Sequence, residues 1–327
     1  MSLDFAVEGP KLMMLVYGII AFLGIVGLLL LALDKVSSRK DIWIALGFLA
    51  PGAVLLGVGL IIPMFRTIYL SFMNTDSSQF VGMENYVWMF SQPANREVLL
   101  NTLLWVVLVP SLATSVGLIY AVLVDRARLE SFAKSLIFMP MAISFVGAGI
   151  IWKFVYAYRD AAQGEQLGLL NQILVWLGGT PQNWLLDETL NTLLLIAVMI
   201  WIQAGFAMVV LSAAIKAIPN DIVEAARIDG VTAWQMFWRV TVPSIRPALL
   251  VVLVTISIAT LKAFDIVRTM TNGNFKTGVL AFQMYDQAFV AGDNGRGSAL
   301  AVFIFVLVTP IVFYQIRQIR RRRQEAM

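Results

Sequence analysis

The chain has 327 residues, 59% of them hydrophobic and 13% charged, with 24 Lys and Arg against 20 Asp and Glu. Soluble domains carry about 25% charged residues, so this composition indicates a membrane protein. Cysteine and histidine are both absent, which excludes disulfides, thiolate nucleophiles, imidazole bases and the usual zinc, copper and haem ligands. No catalytic residue and no metal site are expected, and the net charge of +4 follows membrane topology rather than a nucleic-acid surface.

A spanning helix needs about 20 mostly apolar residues. In chain order, spans are expected near 12–33, 43–65, 99–124, 135–157, 190–213, 247–267 and 298–316. The first is read as a retained anchor: only Lys11 precedes it, its apolar run is too long for a signal peptide, and no small-residue cleavage site follows. Lys and Arg then divide unevenly between the two sides of the membrane. Fifteen fall on one side, in 35–40, 126–134, 216–246 and 317–323, against six on the other. Because cytoplasmic loops hold the excess, Met1 is expected outside and the C-terminus in the cytoplasm. The external connections, 74–98, 159–189 and 268–297, are long. They read as caps over helix ends or as receiving surfaces for another protein, and LGLLNQILVWLGG in the second has a short amphipathic pattern.

Between the fifth and sixth spans lies IVEAARIDGVTAWQMFWRVTVP, residues 222–243. Asp221 with Glu224, and Thr232 with Gln235, each have the spacing of a capping box. Gly230 between them suits a helix that stops on a left-handed residue. Ile222, Val223, Ala226 and Ile228 give the first helix an apolar face, as Trp234, Phe237, Trp238 and Thr241 do the second. Pro243 and Pro247 are expected to end that helix and start the next span. As a linker, the pair would rest its aromatics at the membrane interface; as a docking knob, its small Ala225 and Ala226 would let another backbone come close.

Glu224-Ala225-Ala226, Gly230 after three more residues, then Val240 and Val242-Pro243, resemble the EAA signature of the membrane subunits of bacterial ATP-binding-cassette importers. FVGMENY at 80–86 and KAIPNDIVEAARIDG at 216–230 are similar to the carbohydrate-importer group. FDIVRTMTNGNF at 264–275 and GRGSALAV at 295–302 look most like the alpha-glucoside branch of the maltose-type permeases. Val240 and Val242 replace the family's usual isoleucine and leucine, a conservative departure.

The resemblance implies an all-α polytopic membrane protein of about seven spans, with a type I importer permease fold and an extra N-terminal span. The expected parts are an external tail, extra span and cytoplasmic linker (1–42), a transmembrane permease domain (43–317, with its coupling loop at 216–246) and a basic cytoplasmic tail (318–327). It also implies a second permease subunit as heterodimer partner, two cytoplasmic ATPase subunits that bind ATP and Mg, an extracytoplasmic sugar-binding protein and a sugar substrate. Glu224, Ala225, Ala226, Arg227, Asp229, Gly230 and Pro243 would then form the ATPase-coupling site. No cofactor is expected in this chain, since the spacing G-x-x-x-x-G-K-[ST] of a phosphate loop is absent.

Sugars are held by hydrogen bonds to their hydroxyls and by aromatic faces. Trp201, Gln203 and Phe206 in the fifth span offer both, and the corresponding span of maltose-type permeases contributes to the sugar site. Thr260 stands where that family offers a polar residue, whereas Ala263 departs from the pattern. Lys262 and Asp265, three apart, are expected on one helix face, either lining the passage or forming a structural salt bridge with lysine snorkelling outward. Lys153 reads as an interface anchor. An alternative function, a gradient-driven secondary transporter, would use Lys153, Lys262 and Asp265 as its charge relay. No internal repeat of the kind such proteins often carry is apparent, and a membrane-embedded enzyme lacks a visible site.

Overall fold

The computed structural model describes residues 41–325 except 126, 127, 161 and 163, and before them only 13, 14, 16–18, 20, 24 and 27. The expected span at 12–33 therefore lies largely outside the described residues, as do Lys35, Arg39, Lys40 and Arg126, and the side chains of 318–327. The chain forms two compact units, residues 1–67 and 68–327.

In the first unit, α1 (Asp41–Leu56) passes through a π turn (Gly57–Ile61) into α2 (Ile62–Leu70), whose last residues belong to the second unit. The helical run from Asp41 to Leu70 contains the expected 43–65, and its stretch Leu49–Leu70 is long and apolar enough to span.

The second unit contains α3 (Glu84–Ser91), α4 (Pro93–Val124), α5 (Glu130–Phe138), α6 (Phe145–Val155), α7 (Leu169–Trp176) and α8 (Asn191–Lys216). After these come α9 (Asn220–Ile228), α10 (Ala233–Gln235), a π segment (Met236–Thr241) and α11 (Val242–Leu261). The last elements are α12 (Asp265–Met270), α13 (Leu280–Tyr285), a further π segment (Asp286–Val290) and α14 (Asn294–Glu325). Five helices of the described chain are long and apolar enough to cross a membrane, or six if α5 and α6 form one broken span.

The core sits around α8, which is apolar on every side and so belongs in an interior. Leu195, Val198, Met199, Met208 and Leu211 are fully buried. Small residues bring α4 against it: a Cβ on Gly117 would lie 2.5 Å from Ala207 Cβ and 2.7 Å from Met208 N. Without a hydrophobic drive between helices in lipid, such close backbone contact is what holds spans together.

Several expectations need correction. The span expected at 135–157 is two helices bent by 102°. Pro140 lies in a tight turn at 139–142, and Ser144 caps α6 by accepting a hydrogen bond from Gly147 N at 3.1 Å. A proline and a capping serine together stop one helix and start another. Neither Pro243 nor Pro247 ends a helix, because the chain is helical from Ala233 to Leu261. The π segment ends at Thr241, directly before the Val242-Pro243 pair, and its wider turn accommodates a residue that lacks an N–H.

The sixth span ends at Leu261, not 267: Lys262 to Phe264 are non-helical, and Asp265 opens a separate helix. The loops expected outside are built rather than open. The amphipathic pattern at 167–179 forms α7, pinned by buried Asn171, which donates to Ala157 O and Gln182 O and accepts from Trp184 Nε1. In the third loop, Leu280, Ala281 and Phe282 are buried in α13.

Candidate functional site

The loop at 216–246, expected to couple to an ATPase, is a helix, a glycine stop and a second helix. At the end of α9, Gly230 has φ of 74°, with Gly230 N donating to Arg227 O at 3.0 Å and Val231 N to Ala226 O at 3.3 Å. This pair of bonds satisfies the last carbonyls around a left-handed residue. Nothing lies within 4 Å of a Cβ built on Gly230, so its requirement is conformational alone. Thr232 then starts α10 with a complete capping box: its hydroxyl accepts from Gln235 N, and Gln235 Oε1 accepts from Thr232 N at 2.9 Å.

The box expected at Asp221 and Glu224 is absent. Pro219 precedes α9 and no side chain caps it. Asp221 instead sits within the first turn, where a carboxylate suits the helix dipole.

Of the predicted apolar face, only Ala226 is buried and Val223 partly so, while Ile222 and Ile228 are exposed. Trp234, Phe237 and Trp238 pack edge-on or tilted against one another, with centroids 4.9–6.3 Å apart, and both tryptophans are exposed. Glu224, Ala225, Arg227, Asp229 and Gly230 are exposed as well, and Pro243 lies exposed at the start of α11. Among the described residues Glu224, Arg227 and Asp229 form no ion pair. A cavity of about 540 Å³ lies between the loop and the end of α4, lined by Val122, Asp125, Lys216, Val223, Arg227 and Met236 among others.

The mid-span residues do not converge on one point. Trp201 meets Trp152 edge-on at 5.6 Å, and Trp152 in turn packs on Tyr156 at 5.2 Å. Gln203 is two residues on, about 200° around α8 from Trp201, and Phe206 lies about 60° from Gln203. Gln203 is buried, yet its carboxamide makes no hydrogen bond among the described residues. Thr260 is buried with its hydroxyl donating to Ile256 O at 2.7 Å.

Lys262 is exposed and lines a cavity of about 340 Å³ with Phe264, Met284 and Tyr285. Because the helix stops between them, Lys262 and Asp265 share no face, and no ion pair joins them. Lys153 is exposed at the end of α6.

Sequence reasoning missed two features. The Trp152 indole N–H is buried and unpartnered among the described residues, a state that buried donors rarely tolerate without a ligand or water. Its spacing of four from Tyr156 was the available signal. The second is the run of rings Phe282, Phe264, Tyr285 and Phe289, with centroids 4.7–6.3 Å apart, where Arg268 stands over Tyr285 at 5.5 Å. Farther out, the Glu188 carboxylate, 2.7 Å from Lys276 Nζ, raises the lysine's pKa by hydrogen bonding and charge.

The sequence model described as "Binding-protein-dependent transport system inner membrane component" matches residues 113–325. The chain belongs to this family. It is a multi-pass permease of the inner membrane and a translocation subunit, and in this family the ATPase is a separate subunit. The osmoprotective compounds uptake permease GgtC of Synechocystis is 50% identical over 277 residues, covering 85% of the chain and 99% of that protein. The alpha-glucoside transport system permease AglF of Rhizobium meliloti is 49% identical over 275 residues, 84% of this chain and 82% of the relative. In fold, the permease is similar to a chain of a bacterial ABC transporter involved in the import of the polysaccharide alginate. That match has a TM-score of 0.74 at 24% identity, over 86% of this chain and 96% of the other.

Proposed function

We propose that this permease is one of the two membrane subunits of an ATP-driven importer for an α-glucoside or related small sugar, working by alternating access. Its partners are a second permease, two cytoplasmic ATPases that hold ATP and Mg, and an extracytoplasmic sugar-binding protein. Met1 faces outward and the C-terminus lies in the cytoplasm. The observation that carries the reading is the loop at 216–246: a glycine-stopped, capped helix pair presents Glu224, Arg227 and Asp229 outward without partners among the described residues. Exposed, unpaired charges around small Ala225 suit a protein partner that supplies counter-charges and close backbone contact. The transport roles of the two relatives, an osmoprotective-compound permease and an alpha-glucoside permease, support a sugar or similar osmolyte as cargo.

On the sugar side, Gln203 offers an uncommitted carboxamide, and Trp201 and Trp152 offer ring faces with one free indole N–H. Thr260, Phe206, Lys262 and Asp265 complete the proposed contacts along the passage.

The test is sugar-stimulated ATP hydrolysis by the co-purified complex across a panel of glucosides. Gly230→Pro and Glu224→Lys are expected to abolish assembly or stimulation; full stimulation in both would remove the coupling role. Gln203→Ala is expected to weaken uptake with normal expression, and unchanged sugar dependence would remove it from the passage.

A further inference from the structure

Two helices of the second unit meet at complementary ends beside the coupling loop. Glu130 is the first residue of α5, and Lys216 is the last of α8. A carboxylate in a first turn and an ammonium in a last turn each sit at the favourable end of a helix dipole. One oxygen, Glu130 Oε1, accepts from Lys134 Nζ at 2.6 Å and also from Lys216 Nζ. Lys134 Nζ donates in addition to Ser212 Oγ, one turn back along α8. The side chains of Glu130 and Lys134 are only 22% and 21% exposed, so solvent and salt screen this cluster less than an open surface pair.

The other end of α5 is also fastened to α8. A Cβ on Gly205 would lie 2.6 Å from Ile137 O and 3.1 Å from Phe138 Cα, so the two backbones meet there directly. With attachments at both ends, α5 lies along α8 as a strut. From Lys216 the chain reaches α9 after only Ala217, Ile218 and Pro219. At its far end α5 leads through the bend into α6.

We propose that Glu130 is a positioning residue that gears the broken span α5–α6 to the coupling helix α9, an inference resting on the coupling role of residues 216–246. Movement of α9 pulls Lys216, and the shared carboxylate carries α5 with it. Without that carboxylate the Glu130 end of α5 loses its shared bond with Lys216 and can shift against α8, while the other end stays packed at Gly205.

The complete complex in proteoliposomes tests this through the amount of sugar moved per ATP hydrolysed. Glu130→Gln is expected to lower that ratio roughly threefold or more. Glu130→Asp should restore part of it, and the exchange Glu130→Lys with Lys216→Glu, which keeps one carboxylate between two ammoniums, most of it. A merely structural role would lower complex yield and leave the ratio in the surviving complex unchanged, which overturns the proposal.

Should Glu130→Gln fail to assemble, a second measurement decides. The chain has no cysteine, so Glu130→Cys with Lys216→Cys can be bridged by a short bis-maleimide. Retained transport after bridging is expected, whereas loss specific to the bridged pair means that the two ends must separate. If the coupling role itself is wrong, Gly230→Pro and Glu224→Lys will leave ATP hydrolysis unchanged too. If only the gearing is wrong, those two variants uncouple while Glu130→Gln does not.

Discussion

Single residues set the two proposed sites by different physics. Gly230 makes no tight contact, and its left-handed φ alone selects glycine. Gly230→Val is therefore expected to cost about 1–2 kcal/mol, and Gly230→Asn much less, because asparagine visits that region. Pull-down of the ATPase with each variant checks the order. Trp152 poses the opposite case, a side chain whose ring is packed while its N–H is not bonded. Trp152→Phe keeps an aromatic six-membered ring and removes the donor together with the pyrrole ring. If the N–H bonds the sugar, uptake affinity should fall about threefold to tenfold, as one neutral hydrogen bond of about 0.5–1.5 kcal/mol implies. If the donor is idle, the variant will keep the parent's uptake affinity and show only the stability loss of the missing ring atoms.

At the level of elements, α10 is only three residues long, and its start depends on the capping box of Thr232 and Gln235. Removing the hydroxyl in Thr232→Ala is expected to cost about 1 kcal/mol locally, seen as faster hydrogen exchange at 233–241 with little change at α8. The α4–α8 contact should behave differently. Gly117 has no room for a side chain, so Gly117→Val forces the two helices apart at an overpacking cost of about 1–3 kcal/mol. The expected outcome is lower yield and a lower midpoint of thermal unfolding in detergent.

For the whole molecule, the proposed orientation is testable because the chain contains no cysteine. In intact cells Glu165→Cys is expected to react with a membrane-impermeant maleimide, and Asp229→Cys only after the membrane is opened; the reverse pattern would invert the topology. How far the sequence alone reached depended on what each feature requires. Unbroken spans such as α4 and α8 were readable because length and apolarity suffice for them, and Gly230 and Thr232 because caps are local chemistry. The break in the 135–157 span escaped because its apolar run is continuous, although Pro140 and Ser144 were its markers. The stop after Leu261 has no glycine or proline to announce it. Trp201 and Gln203 are neighbours in sequence yet lie on opposite sides of α8, so their grouping could be judged only in three dimensions.

One consequence follows from the absence of any break between Ala233 and Leu261. These 29 residues make a boom about 43 Å long, rooted beside the charged loop and tipped by Lys262. Swinging such a boom by about 5° at its root shifts the tip by about 4 Å, the separation at which two carbon atoms just touch. A slight tilt delivered on one side of the bilayer is thereby enough to make or break contacts in the aromatic cavity on the other.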